Sequence, residues 1–417
     1  MREQQHQERR LKVLWIARTC PYPANDGEKL RVYNLLKALA QRHDLTIVYR
    51  VMAEDERRGE SELQKFCTGG VHGIEVPRPQ GLLGKLRWLL PFVFSRYPVA
   101  LCTVFFEPIR QRLTELAASR QFDVVQVEHS SLDIYLDHVK FQGQPATVLT
   151  LHNIDYIRNE RVLQNTPVGP AKLYHWFNQR RFKAWELTAI RRYDRVIAMS
   201  DVDQRILLND LPGLPVSVVP NGVDAHVIAF QPAPQASETV IFVASMDSEA
   251  NHDGAMFFLR EIWPHVKQAR PAAVLKLVGR GPNAELRAQD NGRDVIVTGK
   301  VDDVIGYYRE AAVAIVPLRS GGGTRLKILE AMAAGAPVVS TTVGAEGLDV
   351  HDGQDILIAD TPQPFADAVL RLLSDGRQRE ALQNAARHLV ETRYDWALIG
   401  QQQDTVYAQA LQSHERH

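Results

Sequence analysis

Short runs of β-branched residues alternate with longer amphipathic segments along most of the chain. Residues 11–17, 28–42 and 45–51 follow the order strand, helix, strand, which is a βαβ unit. Further strands are predicted at 123–128, 146–151, 194–199 and 216–219. Because connections of this kind join parallel strands, the first half of the chain predicts a parallel sheet covered by helices.

The same alternation begins again after a turn-rich segment at 221–238. Strands are predicted at 239–244, 273–278, 295–298, 312–316 and 337–340, and helices at 254–267, 304–310 and 324–334. We therefore predict an α/β protein of two facing Rossmann-like domains with parallel sheets and a cleft between them, where ligands should bind at the strand ends. The predicted domains are 1–222 and 223–390, and a C-terminal helix within 391–417 is expected to pack back on the first domain.

Composition narrows the classes of function. The chain has 417 residues, which suits two domains, and its 49 Lys and Arg balance 49 Asp and Glu. A net charge of zero gives no field that would attract nucleic acid. The three cysteines form no C-x-x-C pair, so neither a disulfide framework nor a thiolate zinc site is indicated, and a reducing cytoplasm is the simplest compartment.

No signal peptide or membrane span is predicted, because the apolar stretch at 82–106 is interrupted by Lys, Arg and Pro. That stretch mixes aromatic and basic residues. Two interpretations stay open: it forms core and a ligand pocket, or it makes peripheral contact with the inner face of a membrane.

The most informative motif is the glycine-rich segment Ser320–Glu330, which lies between a buried strand pattern and a helix pattern. Such a layout binds anions, because glycines let the backbone approach a phosphate and the helix start offers free N–H groups. Arg325 and Lys327 lie in the first helical turn, where the helix dipole disfavours cations, so an anion is expected nearby. Glu330, one turn later, could accept hydrogen bonds from ribose hydroxyls; the alternative is a glycine turn with a surface Lys–Glu pair.

This segment, continued through 337–340 and 344–348, resembles the donor-binding signature of family 4 retaining glycosyltransferases of the GT-B fold (glycosyltransferase group 1). The family pattern has two glutamates eight positions apart. Glu330 matches the second, and Gly322 stands in place of the first, so the motif is a glycine-rich variant. The resemblance implies donor binding by Gly322, Gly323, Thr324, Arg325, Lys327 and Glu330. In that variant, backbone N–H groups of 322–324 could replace the missing carboxylate.

The resemblance extends over nearly the whole chain. It places Gly27, in the loop before the first helix, close to the donor diphosphate, and it makes 1–222 the acceptor side and 223–390 the nucleotide-sugar side. His152 follows a strand at the position expected for chemistry, and the resemblance places it beside the donor sugar and acceptor. Further candidates for the acceptor side are Glu128, His129, Asn153 and Asn221. The family's basic pair after the first strand of the second domain is absent, so Arg280 is expected to join Arg325 and Lys327 in neutralising the diphosphate.

The resemblance implies a hexosyltransferase-type reaction with retention at the anomeric carbon, from a UDP- or GDP-type sugar to a glycan, lipid-linked or small-molecule acceptor in bacterial polysaccharide or envelope glycan synthesis. No cofactor or metal is expected, because the one Asp-x-Asp, at 201–203, is explained by helix capping after Ser200. Two alternatives stay open, a non-catalytic GT-B sugar-nucleotide-binding or scaffold protein and a sugar-nucleotide epimerase. A dinucleotide oxidoreductase is disfavoured because neither opening strand leads into G-x-G-x-x-G.

Overall fold

The computed structural model describes residues 10–51, 54–76, 90, 92, 95–165, 169–321 and 325–415. The chain divides into two compact units. Unit 1 comprises Met1–Val219 and Gly400–His417, and unit 2 comprises Pro220–Ile399. Each unit is built on one parallel sheet flanked by helices, which is the Rossmann-like architecture that the alternating pattern predicts.

The sheet of unit 1 has seven strands in the order β3-β2-β1-β4-β5-β6-β7. They are β1 (Lys12–Thr19), β2 (Asp44–Val51), β3 (Gly70–Glu75), β4 (Val124–Glu128), β5 (Ala146–Leu151), β6 (Arg195–Ala198) and β7 (Val216–Val218). The helices are α1 (Gly27–Leu39), α2 (Glu54–Leu63), α3 (Glu107–Ser119), α4 (Asp155–Asn165), α5 (Pro170–Ile190) and α6 (Asp201–Asp210), with 3₁₀ turns at Val99–Thr103 and Ser130–Tyr135.

Strand β1 forms the centre of this sheet, because it pairs with β2 on one side and with β4 on the other. Val13, Leu14, Trp15 and Ile16 are all buried, as expected for a parallel strand covered on both faces. The strand order reverses between β1 and β4, so the connections leave in opposite directions and open a crevice at the carboxyl ends of these strands. Polar residues that follow β1, β4 and β5 therefore meet in one place.

The sheet of unit 2 has six strands in the order β10-β9-β8-β11-β12-β13. They are β8 (Thr239–Val243), β9 (Val274–Val278), β10 (Val295–Gly299), β11 (Val313–Val316), β12 (Val338–Ser340) and β13 (Leu357–Ile358). The helices are α7 (Glu249–Phe257), α8 (Trp263–Ala269), α9 (Ala284–Arg287), α10 (Val304–Glu310), α11 (Leu326–Ala334), α12 (Thr342–Ala345), α13 (Pro362–Ser374) and α14 (Gly376–Leu389), with π-helical turns at Phe258–Ile262 and Val390–Tyr394. Here the order reverses between β8 and β11, which places the corresponding crevice beside α7 and α11.

The last helix, α15 (Trp396–His414), begins in unit 2 and ends in unit 1. Its later residues contact the first part of the chain. Gln403 donates to the side-chain oxygen of Gln126 at 3.1 Å, and Asp404 pairs with Arg42 and His43. In the described ranges, no helix is both long enough and apolar enough to cross a membrane.

Candidate functional site

A buried polar cluster lies at the strand ends of unit 1 and centres on His152 and Glu128. Glu128 is the last residue of β4, and the register of β4 and β5 pairs it with Thr150. His152, two residues further on, therefore reaches back to it, with Nε2 at 2.6 Å from Glu128 Oε2. Both side chains are buried, with 7% and 1% of their surface exposed. Glu128 and His152, which are separate candidates in the sequence, thus form a hydrogen-bonded dyad.

A second carboxylate–imidazole pair lies against the first. His129 Nε2 is 3.0 Å from Oε2 of Glu28, a residue in the first turn of α1, and Arg18 from the end of β1 contacts the same oxygen at 2.6 Å. The His129 backbone has a φ of 88°, an unfavourable value for a side-chain-bearing residue. This conformation presents its ring to His152, and the two rings stack with their centroids 4.7 Å apart.

Residues beneath the dyad fix the Glu128 carboxylate. Gln126 donates to Glu128 Oε1 at 3.0 Å and to the Thr150 hydroxyl at 2.6 Å, so each oxygen of Glu128 has a partner. Arg31, fully buried in α1, supplies the opposite charge: burial lowers its pKa to about 10, and the Glu128 charge acts in the other direction. A carboxylate held in this way keeps a fixed orientation toward His152.

Electrostatics set the protonation states in the cluster. Burial lowers the pKa of His152, and the hydrogen bond and charge of Glu128 oppose this only in part, so the ring is neutral at neutral pH. With Nε2–H donating to Glu128, Nδ1 carries the lone pair and can accept a hydrogen bond from a hydroxyl. Burial acts to raise the pKa of Glu28, but the hydrogen bond and charge of His129 outweigh it and hold that pKa well below its usual range.

In unit 2, Lys327 lies in the first turn of α11 and points to the end of β8. Its Nζ donates to Asn251 Oδ1 at 2.7 Å and lies 4.9 Å from the centre of the Phe242 ring. Asn251 in turn donates to the carbonyl of Ser245, just after β8, at 2.8 Å. Within the described part of the chain, Lys327 makes no ion pair with a carboxylate. Burial, reinforced by the charge of Arg325, lowers the Lys327 pKa to about 7, while Glu330 acts in the opposite direction.

Arg280 reaches the same strand end from β9. Its Nε donates to the Ser245 hydroxyl at 2.9 Å, and its side chain is exposed. The approach depends on Gly279, which has a φ of 140°; a Cβ at this position would lie 1.8 Å from the Ala244 carbonyl oxygen. Only glycine allows these two strand ends to come so close.

Arg325 and Glu330 lie on either side of Lys327 in the sequence. Arg325 is the N-cap residue of α11, and Glu330 lies in the second turn of that helix. Arg325 is buried at the N-cap position, and its guanidinium donates to the carbonyls of Gly321 and Val343 at 3.0 and 3.2 Å. Arg325 therefore links Gly321 to α12. Burial raises the pKa of Glu330 to about 7, with the charge of Lys327 acting against it, so a carboxyl group near Lys327 is poised between its two forms.

The remaining predicted residues are distributed as follows. Gly27 is the exposed first residue of α1, adjacent to Glu28, and Asn153 is exposed beside His152. Asn221 is buried in unit 2. Gly322, Gly323 and Thr324 lie outside the described residues, so their predicted contact with the donor stays a prediction.

The segment 82–106 is described only at 90, 92 and 95–106. In that part, Phe92, Leu101 and Phe106 belong to the core of unit 1. The aromatic and basic residues Trp88, Phe94, Lys85 and Arg87 lie outside the described residues, and membrane contact through this segment stays a prediction.

Three residues of the unit 1 cluster, Glu28, Arg18 and Arg31, are not among the candidates predicted from sequence. Glu28 carries a usable signal, because it opens the helix directly after the loop that contains Gly27. Arg18 and Arg31 carry none, because their approach to Glu28 and Glu128 depends on how β1, α1 and β4 are assembled. Across the described ranges, no group of three or more His, Cys, Asp or Glu side chains is arranged to hold a metal ion.

Both halves of the chain match models of known families. Residues 27–227 match the model "Glycosyltransferase Family 4", and residues 237–375 match "Glycosyl transferases group 1". An uncharacterized 44.6 kDa protein in the cps region of Klebsiella pneumoniae is 21% identical over 92% of this chain and 96% of its own length. A phosphatidyl-myo-inositol mannosyltransferase of Mycobacterium leprae is 31% identical, over 51% of this chain and 58% of that protein.

The fold also has solved counterparts. The crystal structure of Anabaena Alr3699/HepE in complex with UDP and glucose superimposes with a TM-score of 0.67 at 16% identity, covering 95% of this chain and 99% of that one. At this identity the likeness concerns the fold, and it agrees with two Rossmann-like units on parallel sheets. With family matches in both halves and this architecture, the chain belongs to the family 4 (group 1) glycosyltransferases and has the GT-B fold.

Proposed function

We propose that this glycosyltransferase is a retaining enzyme that transfers a sugar from a UDP- or GDP-type donor to a glycan, lipid-linked or small-molecule acceptor. The proposed setting is bacterial polysaccharide or envelope glycan synthesis, in the cytoplasm or at the inner face of the membrane. Support comes from the relatives: one is encoded in a cps region, one is a mannosyltransferase named for phosphatidyl-myo-inositol, and a structural counterpart was solved with UDP and glucose.

The observation that carries the donor side of the proposal is the environment of Lys327. Its ammonium group faces a neutral amide and an aromatic ring, and burial lowers its pKa to about 7. A group in this state gains most from an incoming anion, because the anion restores the charge that burial disfavours. Lys327 lies at the start of a helix, where phosphate is also favoured by free N–H groups and the helix dipole. A diphosphate is therefore the ligand that best fits this position.

On the acceptor side, we assign His152 the role of a hydrogen-bonding group rather than that of a nucleophile. Its neutral ring, held through Nε2 by Glu128, offers Nδ1 to a sugar or acceptor hydroxyl. In the proposed reaction the bond from the anomeric carbon to the leaving phosphate oxygen breaks, and the electron pair stays on the phosphate. The acceptor oxygen bonds to the anomeric carbon, and its proton passes to a phosphate oxygen.

Stabilisation of the leaving diphosphate is the main catalytic effect that we assign to unit 2. Lys327, Arg280 and the N–H groups at the start of α11 are the groups available for it. Removal of one preorganised donor of this kind typically lowers turnover by about 10²- to 10³-fold. We propose that these groups replace a metal ion, so that the reaction needs no divalent cation.

The first test is thermal stabilisation of the full chain by UDP, GDP, ADP, TDP, their sugars and NAD, with and without EDTA. We expect a shift with one nucleoside-diphosphate family that EDTA leaves unchanged. A shift with NAD alone, or no shift with any nucleotide, would overturn the donor assignment.

The second test follows turnover of the stabilising sugar donor by NMR in the presence of candidate acceptors. Retention predicts that the product has the anomeric configuration of the donor. Binding without turnover on any acceptor would favour the scaffold alternative, and conversion of the donor sugar without an acceptor would favour the epimerase.

A further inference from the structure

Helix α5 carries large apolar side chains on its solvent-facing side. Its inner face is formed by Gln179, Phe182, Glu186, Ala189 and Ile190, which are buried. On the opposite face, Leu173, Trp176 and Phe177 have 68%, 45% and 56% of their surface exposed. Their spacing of three and four residues places them side by side on the helix. We call these three residues the apolar stripe.

Such a stripe is unusual for a surface helix. Helices normally direct their apolar side inward and leave polar groups to the solvent. The other large apolar side chains exposed among the described residues, Leu90, Leu208 and Val227, belong to other segments. Isolated exposed residues of that kind need no explanation, whereas a contiguous group indicates a surface that is covered in use.

Two arginines of α5 adjoin the apolar stripe. Arg180 lies 4.9 Å above the Trp176 ring, and Arg181 lies 5.8 Å from the Phe177 ring. Between 170 and 185 the sequence has no Asp or Glu. Glu186 is buried, and burial raises its pKa to about 8, so it adds little negative charge at neutral pH.

The next turns of α5 line a groove of about 370 Å³ that extends the positive surface. Arg96, Arg181 and Arg192 contribute to its walls, together with Tyr97 and Trp185. Among the described residues, Asp137 is the one acidic side chain that lines it, and it pairs with Arg96 and Arg192. Arg192 also pairs with the buried Asp133, so the three arginines still outnumber the carboxylates that contact them. Arg181 is held in place by the carbonyls of Ser95 and Tyr97 at 2.9 and 3.0 Å.

We propose that the apolar stripe and the adjoining arginines of α5 dock the protein on a lipid bilayer that carries anionic headgroups. Aromatic and leucine side chains insert at the boundary between headgroups and acyl chains, and the arginines pair with headgroup phosphates. A second copy of the chain is a poorer occupant, because it would bring Arg180 and Arg181 against their own equivalents. Docking requires neither donor nor turnover, so it can fail or succeed independently of the proposed function.

The test is co-sedimentation of the full chain with vesicles of phosphatidylcholine alone and of phosphatidylcholine mixed with phosphatidylglycerol. We expect binding to the mixed vesicles that weakens at high salt. The double variant W176S/F177S should bind them at least about tenfold more weakly, and R180E should bind several-fold more weakly. Matched controls are L208S and V227S for the apolar change and R293E for the charge reversal; all three should bind like the wild type.

Several outcomes would overturn the proposal. They are absence of binding to mixed vesicles, equal binding to both kinds of vesicle, and wild-type binding by W176S/F177S. Self-association of the wild type without lipid, lost in W176S/F177S and measured by analytical ultracentrifugation, would assign the stripe to a second copy instead. Because the substituted side chains are exposed, thermal unfolding of each variant should match that of the wild type, and this separates loss of docking from loss of folding.

Discussion

The strand-end clusters of the two units handle charge in opposite ways. In unit 1, Glu28 pairs with Arg18 and His129, and Glu128 accepts a hydrogen bond from His152 near the charge of Arg31, so both carboxylates have partners within the unit. In unit 2, Lys327 has only neutral hydrogen-bonding and aromatic partners among the described residues, and the pKa values of Lys327 and Glu330 both move to about 7. The comparison indicates that the unit 1 cluster holds its own side chains in fixed orientations. The unit 2 cluster is suited to binding an anionic ligand beside Lys327.

Replacing His152 should produce the largest effect and test the first half of this comparison. In His152→Ala we expect turnover to fall about 10²- to 10³-fold, while the Kd of the nucleotide donor stays within a few-fold of the wild type. The measurement is steady-state turnover combined with calorimetric donor binding. Exposed His388 provides the control variant, His388→Ala, and a His152→Ala enzyme with full turnover would contradict the assigned role.

Replacing Lys327 should weaken donor binding, whereas replacing His152 should mainly lower turnover. Lys327→Ala should weaken binding of the nucleoside diphosphate by about ten- to a hundredfold, because a charge-assisted hydrogen bond is lost. Pyrophosphate alone should lose affinity to a similar degree. Calorimetry with both ligands checks this, exposed Lys140→Ala is the control, and wild-type affinity in Lys327→Ala would exclude the phosphate assignment.

The Glu330→Gln variant should distinguish the contribution of the ribose to binding affinity from that of the phosphates. We expect nucleoside-diphosphate affinity to fall by up to about tenfold, since an amide is a weaker acceptor for ribose hydroxyls than a carboxylate. Pyrophosphate affinity should not fall, because pyrophosphate has no ribose. Loss of affinity for both ligands to the same extent would assign Glu330 to the phosphate site instead.

The smallest predicted effect is the uptake of a proton when the nucleoside diphosphate binds beside Lys327. Free Lys327 has a pKa of about 7, and an anion beside it raises that pKa, so binding at about pH 8 should take up a proton. Affinity should therefore decline as pH rises above 7, by at most about tenfold per pH unit. Calorimetry in buffers of different ionisation enthalpy measures the uptake, and Lys327→Arg should abolish it because arginine stays protonated. Equal uptake in wild type and Lys327→Arg would show that another group titrates.

Much of the fold can be predicted from the sequence because strands and helices have local signatures. The runs at 11–17, 146–151 and 304–310 appear as β1, β5 and α10 with bounds within two residues of those predicted. Strands β3 and β13 are not predicted. The first contains two glycines and the second has two residues, so neither has a run of β-branched residues to detect.

The site is less predictable, because its contacts depend on register and on distant partners. His152 and Glu128 are both identified from strand ends, but their pairing requires the β4–β5 register that sets Glu128 beside Thr150. The partner of His129 is Glu28, which lies on another element, and nothing local to either residue indicates the contact. The lowered pKa of Lys327 likewise follows from burial, a property of the assembled unit.

The return of α15 to unit 1 gives the molecule an order of assembly. Gln403 supports Gln126, which in turn holds Glu128, and the two glutamines are 277 positions apart in the chain. During synthesis from the N-terminus, the sheet of unit 1 and all of unit 2 leave the ribosome before Gln403 does. The His152–Glu128 dyad thus acquires the support of Gln403 only after the sheet of unit 1 and all of unit 2 have been translated. A chain that stops before Gly400 would include all of unit 2 and lack the hydrogen bond that supports Gln126.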